Sequence, residues 1–587
     1  MHARNRTWLL GSDPVERCRQ RTLPVEGGDG STLSLDFTTG VLDPRLTFTR
    51  TTNATFINSQ GLVQYAGQNL YFNTAFGGLS GTNPSLTSSG WTYAFSTGSA
   101  TFHGDGSVTM TASSQRIGIS RSSGFTGAGR RVIASVDILT VGDTGLTPSN
   151  LLITGTYTNS AHYVDSTLYT TGNVIGPCTL SFVFDSPTSG TTGAYFGVGM
   201  TGNSTATVKF ANPRLNLWNG VVPAPYLENT STTAERHDPR FDYDPTTRQP
   251  RGLLIEGSAT SLAFWSENIN PNAAPQNVYW TVSGTGASVT PTSQTDPANG
   301  TSASRCILGT SAVGRVYQGI TTTAGITYTL SFWAKSVSGT TSLAIWHFNS
   351  ATGNSTALTV GTSWTRYQVT ILGRTGGGFV ECGIANLTSN AATVDLWGLQ
   401  LETGSGASSY IPTGASTGSR AVDVCTMSNI TALNYNANGG TLFAHFSNNT
   451  ENANFAGSIG FNNGANYAQR LRWGSGSLTG SYFQTNGTTT LGSNLGGSRT
   501  SFASAKAATS YSFDGTTTST AMSINGAQAT TTPTSSAVSG VSIATAFALN
   551  SDNSSAATAY PSLAVRSVKF YPTALTMAQM NAITANP

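Results

Sequence analysis

Apolar and polar residues alternate one for one over long stretches of this chain. In Thr327-Tyr328-Thr329-Leu330-Ser331-Phe332-Trp333-Ala334-Lys335, and again in Trp364-Thr365-Arg366-Tyr367-Gln368-Val369, the period is two, which predicts strands with one buried face. Near the start, Leu35/Phe37, Leu46/Phe48 and Phe56/Leu62 give shorter strands joined by turns at Asp43-Pro44 and Gly61. Turn residues recur at roughly the spacing of a β-sandwich, about every 8–12 positions. In the middle of the chain, Leu253-Leu254-Ile255 is an apolar run between Gly252 and Gly257, read as one buried strand that follows a turn at Pro250-Arg251-Gly252. Towards the end, Asp-Gly and Asn-Gly pairs at Asp514-Gly515 and Asn525-Gly526 predict hairpins. Leu563 to Tyr571 reads as a closing strand. Leu575 to Ile583 is the one helix, capped by Thr576, with Met577, Met580 and Ile583 on one face.

Two stretches repeat each other. Leu215, Tyr226 and Arg236 stand eleven and ten residues apart, as do Leu399, Tyr410 and Arg420. Each stretch opens on an aromatic strand followed by a tryptophan: Leu70-Tyr71-Phe72 with Trp91, and Leu262-Ala263-Phe264 with Trp280. Four coincidences in order argue for duplication. The expected organisation is an N-terminal arm and attachment segment (1–67), a first β module (68–230), a rigid connector (231–260), a second module (261–420) and a C-terminal sandwich (421–587). The fold class is all-β, with tandem sandwiches joined by an extended connector.

Composition agrees with this and narrows the partners. Charged residues are 9% of the 587, Gly accounts for 66, and 38% are hydrophobic. That is too apolar for a disordered chain and suits turn-rich sheets with neutral polar faces. A net charge of +3 over this length gives no nucleic-acid surface. Positive charge is nearly all Arg, since Lys209, Lys335, Lys506 and Lys569 are the only lysines, and scarcity of Lys, Asp and Glu suits self-packing interfaces. The five cysteines, Cys18, Cys178, Cys306, Cys382 and Cys425, are scattered and form no metal motif; Cys306 and Cys382 share a module and could meet across it. No apolar run is long enough for a membrane span, and Trp8-Leu9-Leu10 is too short for a signal-peptide core, so synthesis in the cytoplasm without export is expected.

The passages Leu46 to Val63, Arg240 to Glu256 and Leu396 to Thr413 resemble the modular virion proteins of tailed bacteriophages, of the fibre, spike and adhesin type. Ser331 to Gly339, Ser363 to Thr370 and Asp395 to Glu402 resemble jelly-roll carbohydrate-binding modules. The order of elements after Gly439 resembles a laminin-G or concanavalin-like sandwich. The resemblance implies a virion location, a homotrimer, and attachment to other virion proteins through the N-terminal part. It also implies contact with host surface polysaccharide, no cofactor beyond a structural calcium, and no insertion into membrane. Its alternative is a structural head-fibre, collar or decoration protein that binds no glycan.

No catalytic constellation is legible, and the chain is expected not to be an enzyme. A depolymerase would have to draw two carboxylates from distant strands, and the available acids are Asp36, Asp242, Asp244, Glu256, Asp395 and Glu402. Sugar binding needs an aromatic face beside neutral polar groups. Trp91, Trp280, Trp333, Trp364 and Trp397 lie in repeated or strand-centre passages and are read as core. Trp346, with Phe348 on the same face by alternation, is the candidate glycan-binding platform. No catalytic and no metal-ligating residue is assigned.

Overall fold

The computed structural model describes residues 29–69, 76, 79–86, 91–122, 131–141, 151–155, 178–185, 193–199, 205–217, 236–309, 314–348, 355–388, 390–436, 438–448, 457–462, 467–474, 477–485, 489–495, 502–514, 516–528, 535–537, 544–549 and 562–585. These form a nearly all-β chain of antiparallel sheets. The N-terminal segment carries four short strands, β1 (Leu33–Asp36), β2 (Thr47–Thr49), β3 (Thr55–Ile57) and β4 (Val63–Tyr65). In the first module follow β5 (Thr92–His103), β6 (Ser107–Ser122), β7 (Arg131–Val141), β8 (Leu151–Gly155), β9 (Cys178–Asp185), β10 (Gly193–Gly199) and β11 (Thr205–Leu217). The connector holds β12 (Arg240–Tyr243) and β13 (Pro250–Ile255).

Ten strands build the second module. They are β14 (Trp280–Ser283), β15 (Ala287–Gln294), β16 (Ala303–Leu308), β17 (Gly314–Thr322), β18 (Thr327–Ser336), β19 (Thr341–Phe348), β20 (Ser355–Val360), β21 (Thr365–Leu372), β22 (Gly378–Asn386) and β23 (Thr393–Thr403). They pair as two five-stranded sheets, β14-β17-β22-β19-β20 and β15-β16-β23-β18-β21. Between the sheets lies a core that includes Trp280, Cys306, Leu330, Phe332, Cys382, Ile384 and Leu399. Cys306 and Cys382 stay free thiols there, their pKa pushed up by burial.

The first module repeats this order. Its strands pair as one eight-stranded sheet, because β5 and β6 are long and each runs through both halves of it. The C-terminal half of β5 and the N-terminal half of β6 lead into β11, β7 and β9; the other halves lead into β10 and β8. Read in chain order, β5 stands for β14 plus β15, β6 for β16 plus β17, and β7, β8, β9, β10 and β11 for β18, β19, β21, β22 and β23. Both modules are also bracketed by a two-stranded ladder that includes the repeated arginine. Arg236 pairs with Asn69 in one, and Arg420 with Ala259 in the other. Tyr226 and Leu70 to Phe72, which the spacing argument used, lie outside the described residues.

After these come β24 (Val424–Met427), β25 (Gly439–Asn448), β26 (Gly457–Asn462), β27 (Tyr467–Gly474), β28 (Ser477–Thr485), β29 (Thr489–Leu495), β30 (Phe502–Phe513), β31 (Thr517–Ile524), β32 (Ala546–Leu549), β33 (Leu563–Tyr571) and α1 (Met577–Thr584). Thr576 caps α1 in a capping box with Gln579, and Met580 is fully buried beneath it. Asn525 and Gly526 both have positive φ, 48° and 82°, the conformation a two-residue hairpin of the Asn-Gly kind requires.

Here the N-terminal expectation needs correction. Residues 33–49, read from sequence as part of a separate attachment segment, are strands of the C-terminal sandwich. One edge of β33 is covered end to end by two donated strands: β13 pairs with Leu563 to Val565, and β1 with Ser567 to Phe570. On the other sheet β2 pairs with β24. The donated strands carry Leu33, Leu35, Phe37, Leu46, Leu253 and Ile255 into one core with Cys425, Phe446, Phe461, Phe547, Val568 and Phe570. An uncovered β33 would leave a row of backbone donors and acceptors and an open core, which is why these distant pieces are held. Close approach fixes one residue: a Cβ on Gly252 (φ +102°) would fall 2.0 Å from the Val565 carbonyl oxygen. The part of the N-terminal arm before residue 29, with Arg4, Arg6, Arg17, Arg19 and Arg21, lies outside the described residues.

Candidate functional site

The connector does more than join modules. Arg240 on β12 is fully buried. Its Nη1 donates to the Thr55 carbonyl (2.9 Å), Glu256 Oε2 (2.6 Å) and Ser409 Oγ (2.8 Å), and its Nη2 to Asp423. Asp423 also accepts from Arg50 Nη1 at 2.9 Å and from the Glu256 backbone N–H at 2.9 Å. Arg420 reaches the Gly257 carbonyl at 2.6 Å and Glu256 at 3.4 Å. One buried network therefore ties the N-terminal segment, the connector, the end of the second module and the start of the C-terminal sandwich. Burial alone would raise the Glu256 carboxyl; Arg420, Arg240 and the Ser409 hydrogen bonds outweigh it and hold it far below the usual carboxylate range.

The same network decides the fate of the tryptophans. Trp91 and Trp280 fill the two module cores, as sequence expects. Trp333 and Trp397 are buried too, but on the outer face of the β15-β16-β23-β18-β21 sheet, in a cluster with Tyr410, Val63 and Ile57. The β3–β4 hairpin covers that face: the Val63 N–H donates to the Pro297 carbonyl at 3.0 Å, and Thr55 Oγ1 to the Tyr410 carbonyl at 2.7 Å. Trp364 stays half-buried at the margin, with Lys335 4.9 Å from its ring centroid.

On the opposite side of the module lies the outer face of β14-β17-β22-β19-β20. Trp346 and Phe348 sit on it two residues apart, rings parallel within 4° and centroids 5.4 Å apart. Arg315 lies over the other face of the stack, 4.9 Å from the Trp346 ring and 5.1 Å from Tyr317. The result is a ladder of Phe348, Trp346, Arg315 and Tyr317. Gly383 lies between Trp346 and Tyr317 in register, and a Cβ there would strike the Val316 carbonyl at 2.0 Å. Glu381 braces the ladder, accepting from Trp346 Nε1 at 2.7 Å and standing 3.4 Å from Arg315 Nε. The indole is 7% exposed, because its neighbours occupy it on both sides. Phe348 and Tyr317, half-exposed, are the rings that meet solvent. Sequence alternation put Trp346 and Phe348 together; Arg315, Tyr317 and Glu381 were not foreseen, since they arrive from strands about 30 residues away in either direction.

The acids weighed for catalysis all have structural partners. Asp36 caps a turn through Thr38, Asp242 accepts the Ile57 N–H, and Asp244 caps the β12–β13 turn. Glu256 belongs to the junction, Asp395 pairs with Arg305 at 2.9 Å, and Glu402 is buried beneath Ser408 and Gln400. Among the described residues no three His, Cys, Asp or Glu side chains gather to hold a metal ion. Asp296, in a polar loop, fills both its oxygens with donors from Ala298, Gly300 and Ser302.

Comparison with protein-family models and with curated proteins gives no match. Among solved structures, the chain is similar to a Trypanosoma rangeli sialidase mutant with trans-sialidase activity (12% identity, 27% of this chain and 25% of that one, TM-score 0.22). It is also similar to the tandem CBM22 modules of Paenibacillus barcinonensis Xyn10C (14% identity, 58% and 98%, TM-score 0.20). A third is the Ruminococcus gnavus sialidase CBM40 bound to sialyllactose (12% identity, 27% and 86%, TM-score 0.22). The chain thus spans a quarter of the first neighbour's length. Enzymes stand among these neighbours, so the expectation of a chain without catalytic activity is corrected and not kept. At these TM-scores the likeness assigns no activity in its place.

Proposed function

We propose that this chain is a glycan-binding virion protein of the tailed-bacteriophage fibre and adhesin class, acting through its β-sandwich modules. The observation that carries the reading is the ladder of Phe348, Trp346, Arg315 and Tyr317 on a module face that the N-terminal hairpin leaves alone. Aromatic rings cover the apolar side of a sugar ring, while the exposed Ser355 and Thr321, opposite Trp346 and Phe379 in register, offer partners for hydroxyls. The sequence passages quoted above support the phage class. In this reading the protein is a homotrimer, made in the host cytoplasm and built into the particle. The residues before 29 meet other virion proteins, and weak sites repeated by symmetry add up to useful avidity.

A glycan array probed with the purified oligomer tests it. Binding to host surface polysaccharide is expected, with a loss of tenfold or more in Phe348→Ala, whose ring meets solvent, and a comparable loss in Trp346→Ala, which removes the ring that Phe348 stacks on, both compared at matched unfolding temperature. Silence on the array, together with host adsorption by Trp346→Ala equal to the parent's, would leave a purely structural head-fibre, collar or decoration protein.

A further inference from the structure

We infer that the ladder face selects an acidic glycan, seating a sugar carboxylate on Arg374. This rests on the glycan-binding reading above and adds the charge class of the ligand.

Arg374 opens the turn from β21 to β22, Arg374-Thr375-Gly376-Gly377-Gly378. The three glycines have φ of 82°, 78° and 109°, and a Cβ on Gly376 or Gly377 would meet nothing within 4 Å. The rim beside Arg374 is therefore bare backbone open to solvent. Arg374 itself is held in place. Its backbone N–H donates to Thr322 Oγ1 at 3.1 Å, and its guanidinium lies 5.8 Å from the Phe379 ring centroid. Phe379 is 52% exposed, and its ring lies 3.2 Å from where a Gly319 Cβ would be, so the missing side chain gives it room.

Phe379 and Glu381 are two residues apart on β22 and share a face, roughly 7 Å along the strand. Glu381 is opposite Phe348 in register. Arg374 and Phe379 thus continue the surface on which the ladder stands. The charges on this surface do not balance. Arg315 has Glu381 at 3.4 Å, whereas no carboxylate of a described residue pairs with Arg374. One guanidinium is left over, lying on an exposed ring, with one long hydrogen bond from its Nη1 to the Phe379 carbonyl (3.5 Å) and no carboxylate partner among the described residues. A guanidinium edge matches a carboxylate by two parallel hydrogen bonds, and the ring beside it takes the apolar side of the same sugar.

The test titrates the intact protein with an oligogalacturonate and with its carboxyl-reduced, neutral counterpart, at low and moderate salt. The acidic form is expected to bind at least tenfold tighter, less so as salt rises. Arg374→Gln should bring it down to the neutral form's level at an unchanged unfolding temperature, and Arg374→Lys should restore part of the difference. Equal binding of both forms by the parent, or an acidic preference that survives in Arg374→Gln, overturns the inference and leaves the glycan reading standing. Failure of both sugars to bind overturns the inference, while the glycan reading stands or falls on the array of host polysaccharides.

Discussion

The second module has two outer faces built from the same materials and put to opposite uses. On one, Trp333 and Trp397 pack edge to face at 5.3 Å, Arg366 lies 4.5 Å over the Trp333 ring, and the buried carboxylate of Glu402 is close by. On the other, Trp346 and Phe348 stack in parallel, Arg315 lies over the indole, and Glu381 braces both. Tryptophan, arginine and glutamate on a flat sheet do not by themselves say whether a face is glue or a binding surface. What differs is a hairpin at residues 55–65, some 270 residues earlier in the chain, that covers the first face and not the second. An aromatic surface covered by its own chain has its ligand already. The surface without such a cover is where an outside ligand can gain the same contacts.

The hairpin is kept in place by the buried charges, so the sharpest way to break the contrast is to remove their centre. Arg240→Ala strips Glu256 and Asp423 of a shared partner while leaving both buried. Loss of one member of such a group costs about 3–5 kcal/mol, because the two carboxylates stay buried from water with only Arg50 and Arg420 left to balance them. Urea unfolding should register that loss. Tryptophan fluorescence should also show Trp333 and Trp397 becoming exposed earlier than the rest. A variant unfolding within 1 kcal/mol of the parent would mean that the hairpin is held by its apolar contacts and its hydrogen bonds to Pro297 and Tyr410, without need of the buried charges.

A smaller effect follows from Asp242, which accepts the Ile57 N–H at 2.8 Å in the same junction. Burial raises its pKa to about 6, with the Ile57 hydrogen bond and Arg251 opposing and Glu256 adding to the rise. The folded chain therefore holds a proton that the unfolded chain releases from about pH 4 upward. The contribution of Asp242 to stability is complete below that value and is lost as pH rises through about 6. Glu256 runs the other way: its lowered pKa gives stability that is complete above the ordinary carboxylate range and is lost as pH falls from that range down to the carboxyl's own much lower value. Asp242→Asn keeps an acceptor for Ile57 and removes the charge. It should gain about 1–3 kcal/mol over the parent at pH 7.5 and nothing at pH 4. Equal stability curves for the two proteins across that range would show that Asp242 titrates as an exposed carboxyl.

How much of this could be read beforehand depends on distance along the chain. Alternation in residues 327–335 and the capping signal at Thr576 are local, and the structure follows them. Arg236 and Arg420, which end the repeated spacing, each pair in a two-stranded ladder beside their module, whereas Tyr226 in the middle of the first spacing lies outside the described residues. The role of Leu33 to Asp36 was not legible, because its partner is β33, more than 500 residues on, and a period-two run does not name its neighbour. Trp333 and Trp397 were readable as buried; that they are buried outside their own sandwich was not, since a strand with both faces covered has the same pattern whichever layer covers it. Trp346 stood out by its place beside Phe348, but the cation and the acid that complete the ladder come from β17 and β22.

The least disruptive change sharpens the contrast most finely. Glu381→Gln leaves a carbonyl to accept the Trp346 indole N–H and removes only the charge facing Arg315. That ion contact is 3.4 Å long, with side chains 22% and 13% exposed, so water already screens part of it. The stability cost should stay below about 1 kcal/mol. Binding should move the other way. Without Glu381 the face carries two uncompensated guanidiniums, and an acidic oligosaccharide should bind equally well or up to a few times tighter, while its neutral counterpart weakens or stays the same. A large fall in stability would mean that the ladder, like the covered face opposite, is a packed piece of the fold. A fall in acidic binding alone would make Glu381 a direct hydroxyl partner whose contact outweighs the repulsion it adds.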